Sequence, residues 1–129
     1  MANEEHHHGE DDDEQFQAVF GVRHANISGC LFDTIYEIRR NDHHTTTLVS
    51  KDFSSSALSD VAWGVLGRYI ANSTHLFTID LDYNGMSDDI TTSLFRGLTK
   101  SSSIAILNLM RNNIGIDGMR SMVPFLKNC

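Results

Sequence analysis

The sequence predicts an α/β fold: a right-handed stack of strand–helix coils with a helix capping its N-terminal end. Three observations lead there. First, the stretch LFTIDLDYNGMSDDITTSLFRGL repeats 28 residues later as IAILNLMRNNIGIDGMRSMVPFL. Leu76 falls on Ile104, Ile79 on Leu107, Leu81 on Leu109, Asn84 on Asn112, Met86 on Ile114, Leu94 on Met122 and Leu98 on Leu126. Second, the apolar period changes within each unit. Ile79 and Leu81 alternate with Asp80 and Asp82, the period of a strand, whereas Ile90, Leu94, Phe95 and Leu98 lie three or four apart, one face of a helix. Third, a serine followed by an acid opens each helix, at Ser59-Asp60 and at Ser87-Asp88, where side-chain oxygen and negative charge suit a helix start.

A repeat of this length and pattern is the signature of a leucine-rich-repeat solenoid, here a short horseshoe segment. One coil cannot bury its own apolar edge, so neighbours must stack. Asn84 and Asn112 are the structural asparagines, whose amides bond loop backbone that would otherwise be unpaired. Gly118, at the position of Ile90 and Ala62, marks a close approach of helix to strand layer.

The chain of 129 residues has room for one domain. Residues 1–15 hold seven of its seventeen acids and no Lys or Arg, and read as a disordered acidic tail. Its His6-His7-His8 run is expected to be solvated. Residues 16–45 form the cap region. Phe16 to Gly29 shows no clean period, but Leu31, Phe32, Ile35, Tyr36 and Ile38 predict a helix over about 30–40, ending at Arg39 and Arg40. Three coils follow: an irregular first at 46–75, then 76–103 and 104–129. Two registers are open to the first strand. The preferred one sets Leu48 beside Ile79, which spares Lys51 a core position and leaves Ser54-Ser55-Ser56 in place of the structural asparagine. Pro124 is expected to kink the third helix.

The charge outside the tail is balanced, ten acids against ten bases, which argues against nucleic acid. Neither a membrane-length apolar run nor a signal peptide is present. The expected location is therefore intracellular, cytoplasmic or nuclear. Cys30 and Cys129 then read as free thiols, and the glycosylation patterns at Asn26 and Asn72 carry no meaning. The last strand would show an unpaired edge, with Ile106 and Met110 toward solvent. That predicts either a fragment of a longer solenoid or self-association through the edge.

The segments LGRYIANSTHLFTIDL (66–81), LFRGLTKSSSIAILNL (94–109) and GMRSMVPFLKN (118–128) resemble the ribonuclease-inhibitor-like leucine-rich-repeat proteins common in diatoms and related algae. The resemblance runs from about residue 31 to the end. It implies strands on the concave side of a curved horseshoe and protein binding in general. Members usually carry further repeats, which are missing from this sequence.

On that concave face the alternation sets Asp80 and Asp82 outward, beside Asn108 and Met110, with Tyr83 next to Arg111. Asp80, Asp82, Tyr83, Ile106, Asn108, Met110 and Arg111 make the expected partner-binding patch, with the aromatic, Arg and apolar content of an interface. The partner is another protein. A different chemistry is written in Asp80-Leu81-Asp82-Tyr83-Asn84-Gly85, the opening of a calcium loop, with Asp88 at its ninth position. Thr91 stands where the bidentate Glu belongs, and the repeat already explains Leu81 and Asn84. No metal or cofactor is therefore expected, and Asp80, Asp82, Asn84 and Asp88 are the alternative set. Regulation of a small GTPase is a further alternative. Enzyme motifs are missing: no G-x-S-x-G, phosphate loop or H-E-x-x-H occurs, and His24, His43, His44 and His75 have no zinc-ligand spacing.

Overall fold

A computed structural model describes residues 14–20, 29–49, 58–99 and 103–127. Residues 14–20 are helical (α1). Then come α2 (Gly29–Arg39), β1 (Thr47–Val49), α3 (Asp60–Asn72), β2 (Thr78–Asp80), α4 (Asp88–Leu98), β3 (Ile106–Asn108), α5 (Ile116–Ser121) and α6 (Val123–Lys127). The strands form one parallel sheet in the order β1-β2-β3. Parallel neighbours need a crossover, and α3 and α4 supply it.

The register is set by one apolar row. Leu48 pairs with Ile79 and Ile79 with Leu107, the alignment preferred from the sequence. Leu48 and Ile79 are buried, while Leu107 is half-buried. Against this row pack Ala62, Trp63, Val65, Leu66 and Ile70 of α3 and Leu94, Phe95 and Leu98 of α4. Both helices begin as the sequence predicts. Ser59 Oγ accepts from Ala62 N at 3.1 Å, and Ser87 Oγ accepts from Ile90 N at 3.4 Å. Helices α3 and α4 meet backbone to backbone. A methyl group on Gly97 would lie 2.7 Å from Gly64 O and 2.8 Å from Arg68 N.

The N-terminal end is closed by aromatic rings. Phe16 and Phe20, one helical turn apart on α1, are buried. The Phe16 ring lies 5.2 Å from Phe32, 5.4 Å from Tyr36 and 6.4 Å from Tyr69. Helix α2, on the predicted Leu31/Ile35/Ile38 face, stops at Asn41, whose φ of 56° is the left-handed conformation that asparagine tolerates after a helix. The Asn41 side chain then reaches the loop before β2. Its Nδ2 donates to Thr74 Oγ1, and its Oδ1 accepts from Thr74 N.

Several expectations need correction. The leucine-rich-repeat solenoid, a horseshoe segment with a concave strand side, gives way to a small, mostly helical α/β unit. The five helices α2 to α6 outweigh a sheet of three strands, each of three residues. The physical reason is that a 28-residue coincidence of apolar positions reports neighbouring strand–helix units in register. That is a local relation, which a short two-layer unit also satisfies. Glu14 and Gln15, assigned to the tail, are already helical. Pro124 kinks no helix: the chain breaks at Met122, and Pro124 is the second residue of the new helix α6, where its missing N–H is not needed. Gly118 gives room to Asp88 at the start of α4 instead of the strand layer. His6 to His8, His24, Asn26, Lys51, Ser54 to Ser56 and Cys129 lie outside the described residues, as does the Cys30 side chain.

Candidate interaction surface

With α3 and α4 against one side of the sheet, no described element packs on the other side. Two rows of side chains cross it in register: Thr47, Thr78 and Ile106, then Val49, Asp80 and Asn108. Thr47, Val49 and Ile106 are exposed, and Thr78, Asp80 and Asn108 are half-buried. Beyond the strand ends lie two turns with the same construction 28 residues apart. Asp80 Oδ1 accepts from Asp82 N at 3.1 Å, and Asn108 Oδ1 accepts from Met110 N at 3.0 Å. These side chains bond their own backbone two residues on, as such turns require. Each turn then passes through a non-glycine residue in the left-handed region, Tyr83 (φ 58°) and Arg111 (φ 55°). Tyr83 N donates to Met110 O at 3.0 Å, which binds one turn to the other.

Asn112 does most of that binding. Its Oδ1 accepts from Asn84 N (2.9 Å) and Met86 N (3.0 Å). Its Nδ2 donates to Leu81 O (2.9 Å), Leu109 O (3.0 Å) and Met110 O (3.2 Å). Asn84 Nδ2 donates to Asp82 O. Both asparagines thus serve the backbone, as their spacing suggests.

The predicted patch divides in two. Ile106, Tyr83 and Met110 are exposed (50%, 60% and 67%), and Arg111 is exposed beside them. Asp80 and Asn108 reach the open face but spend an oxygen on their turns. Asp82 is not free surface: it is 8% exposed, covered by the side chain it binds. Its carboxylate accepts from Arg111 Nε (3.0 Å) and Nη2 (2.5 Å). The same guanidinium lies 5.5 Å from the centre of the Tyr83 ring, so Arg111 stands between a buried acid and an exposed aromatic. Val49 (48%) also carries exposed apolar surface on this face, and Phe77 (50%) is exposed just before β2; neither was foreseen. Phe77 shares the parity of the buried Ile79 and Leu81, but it precedes the strand and stays in solvent.

The calcium set is occupied by the chain itself. Asp80 holds Asp82 N, Asp82 holds Arg111, Asn84 holds Asp82 O, and Asp88 Oδ1 accepts from Gly115 N at 2.6 Å. Among the described residues no three His, Cys, Asp or Glu side chains converge as metal ligands. His43 and His44 lie in a turn, their ring centres 4.0 Å apart, with His75 6.2 Å from His43. Asp42 opens that turn. The His44 N–H donated to its Oδ1 (2.8 Å) holds the Asp42 carboxyl below its usual pKa, with smaller help from the charges of His44, His43 and Arg40 against desolvation. No helix among the described residues is long and apolar enough to cross a membrane.

Neither a family model nor a curated protein matches this chain. Among solved structures it is similar to one titled "Leiomodin-1 Actin-Binding Site 2 (ABS2)", with a TM-score of 0.59 and 14% identity. The likeness covers 79% of this chain and 56% of that one, so the chain spans little more than half of its neighbour's length. At this identity the likeness is one of fold. It sets the small, mostly helical unit beside an actin-binding-site structure, and the leucine-rich-repeat solenoid is set aside.

Proposed function

We propose that this chain is a protein-binding module whose partner docks on the open sheet face and on the turns beyond β2 and β3. The observation that carries this reading is the group Tyr83, Arg111, Met110 and Ile106. Two apolar side chains, an aromatic ring and a guanidinium are exposed on β3 and on the two turns beyond the strands, with the guanidinium beside the ring. Tyr and Arg are the residue types that most often dominate interface energy. Here Asp82 holds the Arg111 guanidinium, which reduces the side-chain freedom Arg111 has to lose on binding.

Actin is the first partner to try, because the structural neighbour's title names an actin-binding site. The test is titration of the immobilised chain with monomeric actin, alongside Tyr83→Ala and Met110→Ser. We expect saturable binding that each substitution weakens by about tenfold or more, with unchanged thermal melts. A flat response would remove actin as the partner. Binding indifferent to both substitutions would remove the face.

A further inference from the structure

The last strand meets a different boundary from the two before it. Among the described residues β3 is an edge strand, and the apolar side chains around it stop short of burial. Leu107, Leu109 and Ile114 are half-buried, whereas their counterparts Ile79, Leu81 and Met86 are at most 2% exposed. The backbone repeats the contrast. Asn84 N and Met86 N both donate to the side-chain oxygen of Asn112. The N–H groups of Asn112 and Ile114 stand at the equivalent places one turn later, and among the described residues neither has an acceptor. The half-covered row and the two unused donors lie along the same edge.

We infer that this edge is a docking site for an extended segment of another protein, one that pairs parallel to β3 and carries an asparagine five residues after the residue beside Leu107. The required chemistry is read from β3 itself, which fills the same place on β2: Leu107 lies beside Ile79, and Asn112 follows five residues on. A carboxamide fits because both its ends have work. Its oxygen accepts from Asn112 N and Ile114 N. Its nitrogen donates to Leu109 O, the counterpart of the Leu81 O that Asn112 Nδ2 reaches. A carboxylate offers the first and not the second. Alternating apolar residues on the segment would close over Leu107 and Leu109, and strand addition to an open edge supplies the backbone bonds. A second copy of this chain is the wrong occupant. Two β3 edges brought together about a two-fold axis run antiparallel, which carries each asparagine away from the waiting donors. The site is the sheet edge and not the open face, so it stands or falls independently of the proposed actin contact.

The test uses the full isotope-labelled chain and a synthetic peptide with the sequence of residues 103–115. We expect saturable binding, and amide exchange at Asn112 and Ile114 slowed about tenfold or more at saturation. The peptide carrying Asn112→Ala should bind about tenfold more weakly or worse, and restore fast exchange at both amides. No saturable binding at millimolar peptide would overturn the inference, as would equal binding by the alanine peptide or a scrambled one. Slowing of the same two amides with rising chain concentration, without peptide, would also overturn it, by making a second copy the occupant.

Discussion

Arg111 takes hold of the Asp82 carboxylate with two of its nitrogens, and so fastens the turn after β3 to the turn after β2. The two side chains are unequally placed: Arg111 is 67% exposed and Asp82 only 12%. Solvent screens the attraction, but removing the guanidinium strands a nearly buried carboxylate. Arg111→Ala should therefore cost about 1 kcal/mol. Arg111→Lys should recover only part of that, because an ammonium cannot offer the two-pronged geometry. Urea denaturation at low and high salt checks both, with a smaller loss expected at high salt.

Asn112 makes five hydrogen bonds with one side chain, three of them to residues of the preceding turn. Asn112→Ala should lower stability by about 2–3 kcal/mol, since it strands donors and acceptors together. Its exposed neighbour supplies the control: Asn113→Ala should change stability by about 0.5 kcal/mol or less. Equal urea midpoints for the two variants would refute the assignment.

Glycines on α3 make an internally controlled pair. A methyl group on Gly67 would collide with Leu94 O, a backbone atom of α4 that cannot step aside. One on Gly64 meets its nearest neighbour, Ser93 O, at an ordinary 3.7 Å. Gly67→Ala should destabilise by about 1–3 kcal/mol through overpacking. Gly64→Ala should stabilise by about 0.5–1 kcal/mol through helix propensity. Thermal melts of opposite sign are the expected result.

The Asp42 carboxyl, held below its usual pKa mainly by the His44 N–H, gives a prediction with a definite sign. A carboxyl whose pKa is lower folded than unfolded adds stability that is fully present above the unfolded value, about 3.9. That stability is lost as pH falls through the folded value. Asp42→Ala should therefore leave a flatter stability curve below about pH 4, with the difference from wild type shrinking as acid is added. Denaturant midpoints from pH 2 to pH 6 measure it.

What the sequence made legible was local and periodic. The pairing of Leu48 with Ile79, the serine caps at Ser59 and Ser87, the apolar faces of α2 and α4, and the backbone duty of Asn84 and Asn112 all follow from spacing. The fold class did not follow, because periodicity fixes how neighbours align and not what the assembled unit is. Helix α1 escaped notice because its signal is two phenylalanines, Phe16 and Phe20, in a segment too short to show a period. The burial of Asp82 escaped notice because it depends on the Arg111 side chain, which reaches it from the turn 29 residues on. The close contact at Gly67 and Gly97 lies in the meeting of two helices, which neither helix's own sequence displays.

The dependence of each turn on the next has a mechanical meaning. Asn112 completes hydrogen bonds of the turn that contains Asn84, while Asn84 gives nothing comparable to the turn that contains Asn112. Under tension between its ends, such a chain has a grain, like split wood. Tearing β3 away takes the Asn112 oxygen from two N–H groups of the turn beneath it, so a rupture begun at the C-terminal side weakens the next layer as it advances. A pull that first frees α1 has, among the described residues, no such lever: what yields there is a cluster of rings.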